Sequence, residues 1–149
     1  MKWFDMPPIW LAAFAIIAYV QGTSYKFGLS LYHPVTMFLS GLLIGGGVVL
    51  VLLAVMEFKK HRTTIIPHQM PSQMIQTGVF KRTRNPIYLA DILILTGLIL
   101  WWDAVLSLVL VPLLFWVLET RFVIPEENRL RRQFRADFAR YTQKTRRWM

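Results

Sequence analysis

The sequence predicts an all-α integral membrane protein, with four transmembrane helices followed by a C-terminal amphipathic helix at the cytoplasmic surface. Three observations carry this reading. Hydrophobic residues make up 55% of the 149-residue chain, and its mean hydropathy of +0.43 is too high for a soluble domain of this length. Four segments, near Pro8–Gly22, Val35–Met56, Ile87–Trp102 and Ala104–Ile124, approach the roughly 20 apolar residues that cross a bilayer. The basic residues are also segregated. With both termini inside, 16 of the 17 Lys and Arg face the cytoplasm and only Lys26 the far side, as the positive-inside rule requires. The chain reads as a single domain over 1–149, with an inner-side loop over 58–86 and a tail helix over 125–145.

The formal charge of +9 is accounted for by this topology and by attraction to anionic headgroups, so the bilayer is the expected partner and nucleic acid is not. The absence of cysteine excludes disulfides, thiolate metal sites and a cysteine nucleophile. His61 and His68 have no second cluster at ligand spacing, so no metal site is expected. Lys2 precedes an apolar run as in a signal peptide, but Met6-Pro7-Pro8 intervenes and no small-residue cleavage site follows. The run is therefore read as the first span.

Trp3, Phe4 and Trp10 sit where an interfacial aromatic belt belongs, and residues 23–34 form a short outer connector. In the second span, Gly41 and Gly45 at four-residue spacing predict close helix packing, with a glycine-lined notch for a lipid tail as the alternative. Glu57 to Arg62 close that span with charge at headgroup level, and residues 63–71, with two prolines, are irregular. Thr77-Gly78 is a turn. Asn85 is placed to cap the third span, with Pro86 at its first helical position. Asp91, one turn after Tyr88, is a costly acid inside a span, there for structural pairing or to line a site.

Trp101-Trp102-Asp103 makes a tight outer turn, and Glu119 and Arg121 lie near the inner end of the fourth span. After Pro125 the pattern changes. Leu130, Phe134, Phe138 and Tyr141 share one helical face, with arginines on the others. Glu126 and Glu127 fall in the first turn of this tail helix, where they serve either the helix dipole or a ligand. The stretch from Ser72 to Tyr88 is polar and basic between apolar runs, which suits it to holding a polar ligand.

Two motifs belong together: Thr77-Gly78-x-Phe80-x-x-x-Arg84-Asn85-Pro86-x-Tyr88, and, about 40 residues on, Glu126-Glu127-x-x-Leu130-x-x-x-Phe134-x-x-x-Phe138-x-x-Tyr141. In this order, separated by one helical hairpin, they resemble the boxes of the isoprenylcysteine carboxyl methyltransferase and phospholipid methyltransferase group. The resemblance covers Thr63 to Tyr141. It implies S-adenosylmethionine as methyl donor, held by Ser72, Gln73, Met74, Ile75, Phe80, Asn85, Pro86, Ile87, Tyr88, Glu126 and Glu127. Phe80 and Tyr88 would offer ring faces to adenine or the sulfonium.

Arg84 and Arg121 are the candidate substrate-binding residues, Arg121 standing a position off the arginine that the family has before its Glu pair, and Arg84, Tyr88, Asp91 and Glu119, the groups near the boxes, are the candidates for a catalytic role. The expected activity is in-line methyl transfer to a lipophilic, membrane-embedded acceptor (carboxylate, amine or thiol) at the cytoplasmic face. The loop and tail helix would close over the cofactor, with Leu130, Phe134 and Phe138 packed on spans three and four. The alternative is a non-catalytic four-span protein that binds lipid or assists a membrane complex; cofactor binding separates the two. The chain departs from the family pattern at Asn85, where the carboxyl methyltransferases have His, at Arg135, where Gly is common, and at Arg146-Arg147-Trp148-Met149, which replaces Arg-x-x-Pro.

Overall fold

A computed structural model describes residues 6–25, 27–62 and 74–148, and every regular element among them is helical. These are α1 (Pro7–Ser24), α2 (Pro34–His61), a 3-10 turn (Gly78–Lys81), α3 (Pro86–Trp101), a second 3-10 turn (Val105–Val109), α4 (Leu110–Leu118), a π turn (Glu119–Val123), α5 (Ile124–Phe134) and α6 (Ala136–Lys144). Proline stands in the first turn of α1, α2 and α3, where its missing N–H costs no hydrogen bond.

Two helical runs are long and apolar enough to cross a membrane by length and composition, α2 and the continuous stretch Val105–Phe134; α3 is a shorter apolar helix. At 1.5 Å per residue the two long runs measure about 42 and about 45 Å, against about 30 Å of hydrocarbon. Both runs exceed that length, and their polar ends carry Glu57 on α2 and Glu126 and Glu127 on α5.

The core is built around α3, half of whose residues are buried. It packs along α2 on one side and against α1 and α4 on another. The α2–α3 seam is antiparallel. Ser40 Oγ donates to Gly97 O at 2.8 Å, and a Cβ on Gly47 would stand 3.0 Å from Ala90 O and 2.6 Å from Ile94 Cγ1. The close approach is thus made by Gly47 and Gly97. Gly41 and Gly45 have nothing within 4 Å of a Cβ, so the packing seam expected of them is not formed. They stand on the exposed side of α2, while Ser40, Gly47 and Ala54, seven residues apart, mark the buried one.

At the Trp101 end, Asp103 (φ 54°) turns the chain and accepts from Ser30 Oγ (2.6 Å) and Leu31 N (2.7 Å). Gln21 Oε1 accepts from Ser107 N and Oγ, tying α1 to the same corner. At the other end Trp10 of α1 lies under the Arg121 guanidinium. The four long segments therefore alternate in direction.

No separate tail helix starts at Pro125. The chain stays helical from Val105 to Phe134, and the Ile124 N–H reaches back to Glu119 O. Proline cannot donate and its ring crowds the carbonyl four residues back, that of Arg121. Widening the preceding turn to a π turn makes room for it. With no free helix start there, the dipole reading of Glu126 and Glu127 loses its basis. The expected tail helix over 125–145 is instead broken at Arg135 (φ 44°, ψ −110°), which divides α5 from α6. A glycine here would adopt that backbone without strain.

Substituting Val for Gly97 should destabilise the protein by about 1–3 kcal/mol, because the Ser40 carbonyl and Ile44 have no room to give. Gly45→Val should leave thermal unfolding in detergent nearly unchanged. Equal losses at the two sites would show that the seam is misplaced.

Candidate functional site

Both motifs come together at the Pro86 end of the bundle. Gly78 (φ 61°) opens the 3-10 turn directly against the Glu57 carboxylate at the end of α2, and Thr77 Oγ1 donates to Glu57 Oε2 at 2.6 Å. This turn buries Phe80 edge-on against Phe58, ring centroids 5.7 Å apart. The chain then crosses to α3 through Thr83-Arg84-Asn85.

That crossing is held by the C-terminal segment. Tyr141 Oη donates to Phe80 O (2.6 Å), Thr145 Oγ1 to Lys81 O (3.3 Å), and Arg84 N to Arg146 O (3.0 Å). The Arg147 carbonyl receives both Thr83 Oγ1 (3.2 Å) and Asn85 Nδ2 (2.9 Å). Burial pushes the Tyr141 hydroxyl pKa up, against the lowering effect of Arg84, so it stays a donor. Asn85 occupies the N-cap position of α3 but makes no side-chain cap bond; its amide is spent on the tail. The apolar face of the tail, Leu130, Phe134, Phe138 and Tyr141, packs with Ala54, Phe58, Ile75, Phe80 and Ile87. It therefore rests on the end of α2, the loop and the start of α3, so that of the two spans expected beneath it the third takes part, at its first turn, and the fourth does not.

Arg147 is the hub of the electrostatics. Its Nε and Nη2 form a fork on Glu127 (2.8 and 3.0 Å), and Nη1 reaches Glu119 (2.8 Å). Arg84 Nη1 stands 3.7 Å from Glu127, with its guanidinium 6.0 Å from the Phe138 ring centroid. The bond to Glu127 raises the Arg147 pKa above its ordinary value, against the opposing effect of burial. Glu119, a candidate for catalysis, is thereby committed to an ion pair.

A second polar group lies on the other side of the Glu pair. Tyr88 Oη donates to Glu126 Oε1 in a short hydrogen bond, and the Tyr88 ring stacks on Phe122 at 6.0 Å. Asp91, three residues on along α3, and Arg129, three residues after Glu126 on α5, both interact electrostatically with Tyr88. The adjacent glutamates thus diverge, Glu126 toward α3 and Glu127 toward the tail. Across the two groups, three buried polar atoms have no partner among the described residues: Arg84 Nε, Asp91 Oδ2 and Arg129 Nη2. The two orphaned arginine nitrogens suit a ligand that carries a negative group.

Of the residues singled out from sequence, Tyr88, Asp91 and Glu126 are joined in one cluster, and Arg84, Glu119 and Glu127 in the neighbouring one. Met74 and Ile75 border Phe80 in the apolar cluster, as does Ile87, while Pro86 is buried at the head of α3. Ser72 and Gln73 lie outside the described residues. Arg121 is exposed, its guanidinium 5.3 Å from the Trp10 ring centroid. Sequence reasoning missed Arg129 and Arg147. The first was findable, one turn from Glu126; the second carried no signal, since long-range contacts of the tail with residues 80–85 and with Glu127 bring it back.

If Asn85 were a helix cap, Asp would replace it well. Because its amide donates to Arg147 O, Asn85→Asp should instead destabilise the protein by about 1–3 kcal/mol in thermal unfolding. Tolerance within about 0.5 kcal/mol would restore the cap reading.

Residues 35–137 match the family model of the phospholipid methyltransferases, a stretch that contains the first box entire and the Glu pair of the second. No curated protein and no solved structure gives a significant match.

Proposed function

The chain belongs to the phospholipid methyltransferase family, and on that premise we propose that it transfers a methyl group from S-adenosylmethionine to a lipophilic acceptor at the cytoplasmic face of a membrane it crosses four times. The observation that carries this reading is the meeting of the two boxes through the Tyr88–Glu126 hydrogen bond. Two elements separated by a whole helical hairpin share one buried polar site, and the partnerless nitrogens of Arg84 and Arg129 at this end suit the carboxylate of the methyl donor.

S-adenosylmethionine supplies an electrophilic methyl on a sulfonium. Toward it, Arg84 Nε and Arg129 Nη2 offer donors for a carboxylate. Glu126 offers an acceptor for the ribose hydroxyls or the ammonium. Met74, Ile75 and Phe80 supply apolar lining, with Ser72 and Gln73 assigned to the same strip. Glu127 holds Arg84 and Arg147, and so acts on the site through them. The tail closes the cytoplasmic side against water, and the acceptor enters from the bilayer between helices. Alignment of two bound reactants is worth about 7–11 kcal/mol, which leaves the protein mainly a positioning task.

Topology follows from length and charge. The two long helical runs span, while α1 and α3, of 18 and 16 residues, span with them in alternating direction. The basic loop and tail then sit on one side, which the positive-inside rule makes cytoplasmic.

Calorimetry of the purified protein with S-adenosylhomocysteine tests the site. Glu126→Gln should weaken binding roughly ten- to a hundredfold, the loss of one charge-assisted hydrogen bond of about 1.5–3 kcal/mol. A change of less than about twofold would remove Glu126 from the binding site.

A further inference from the structure

Among the described residues, every acid at the Pro86 end but one has its charge answered or its oxygens engaged. Glu57 accepts from Thr77, Glu119 and Glu127 share Arg147, and Glu126 accepts from Tyr88. Asp91 is the exception. It is 5% exposed, and its Oδ2 has no partner among the described residues. It stands on the same face of α3 as Tyr88, one turn deeper along the helix, within electrostatic range of the Tyr88 hydroxyl. A purely structural role would require a cation or a donor on that oxygen, because an unpaired buried acid is costly. Among the described residues no cation forms an ion pair with it: Arg84 and Arg147 pair with Glu127, and Arg129 Nη2 is itself without a partner. What remains is an acceptor atom kept open beside the site where the two boxes meet.

We propose that Asp91 is the proton acceptor of the reaction, taking the proton that a nitrogen, oxygen or sulfur nucleophile must lose, so that the acceptor is a proton-bearing group and not a carboxylate. The assignment rests on the methyltransferase reading above. The new bond joins the acceptor heteroatom to the methyl carbon; the bond broken is methyl–sulfur, whose electron pair stays on sulfur as a neutral thioether. The heteroatom's proton passes to Asp91 Oδ2 and leaves to water once the product departs. A carboxylate acceptor has no proton to give, and would meet Asp91 and Glu126 as like charges.

The test uses the full chain in lipid nanodiscs with three matched twelve-carbon acceptors: dodecylamine, dodecanethiol and dodecanoate. Wild type should methylate the amine or the thiol in preference to dodecanoate. Asp91→Asn should lower that turnover about a hundredfold or more, the usual weight of a general base, and leave S-adenosylhomocysteine affinity nearly unchanged. Asp91→Glu should recover part of the rate. Without any cofactor, dicyclohexylcarbodiimide should form an adduct at Asp91, read by mass spectrometry, and the preferred twelve-carbon acceptor should slow its formation. Preference for dodecanoate, an undiminished rate in Asp91→Asn, or loss of cofactor binding in step with the rate would each overturn the assignment. Failure of wild type to bind S-adenosylhomocysteine would instead bring down the methyltransferase reading on which it rests.

Discussion

Glu127 is an acid taken almost out of water, and a carboxylate so placed is tolerable only when its charge is met at close range. Arg147, twenty residues later, meets it with a two-pronged bond and spends its remaining nitrogen on Glu119. Pairs of this kind add little net stability, since desolvation offsets most of the attraction; removing one partner is what costs. The consequence is positional. The last residues of the chain have one place to be, and by being there they fix the Thr83–Asn85 crossing through the Arg146 and Arg147 carbonyls. The head of α3, and with it Tyr88, inherits its position from a contact made at the far end of the sequence.

The π turn before Pro125 is the other half of that arrangement. A regular α-helix through residues 119–123 would advance each later side chain by about 100° per residue. Five residues in wider turns rotate α5 relative to α4, so that Glu126 meets Tyr88 while Glu127 meets Arg147. A proline that would break an ordinary helix here sets the register of the pair that follows it.

Much of this was legible in the sequence, and the remainder was hidden for identifiable reasons. Hydropathy and proline placement located the starts of α1, α2 and α3 to within a residue, because a buried helix reports itself locally. The Arg-Asn-Pro-x-Tyr and Glu-Glu boxes pointed to one site, which the Tyr88–Glu126 bond now joins. The glycine seam went wrong because spacing alone cannot say which face of an all-apolar helix turns inward; Gly41/Gly45, four apart, and Ser40/Gly47, seven apart, each mark one helical face, and only the second meets α3. Asn85 read as a cap because Asn before Pro usually is one, and its rival acceptor sits 62 residues away. The tail was expected to pack on the nearest spans in sequence; its aromatic face instead found Phe58 and Phe80. In each miss a long-range contact overrode a local preference.

The central claim is that the tail arginine and the second glutamate of the pair act as a unit that holds the site together. A double-mutant cycle on Arg147→Gln and Glu127→Gln, read by reversible unfolding in detergent, measures it most directly. The account predicts a coupling of about 1.5–3 kcal/mol, with the double variant hardly less stable than either single one. Additive losses, with a coupling below about 0.5 kcal/mol, would mean that the two residues stabilise the protein independently and that the tail does not set the site.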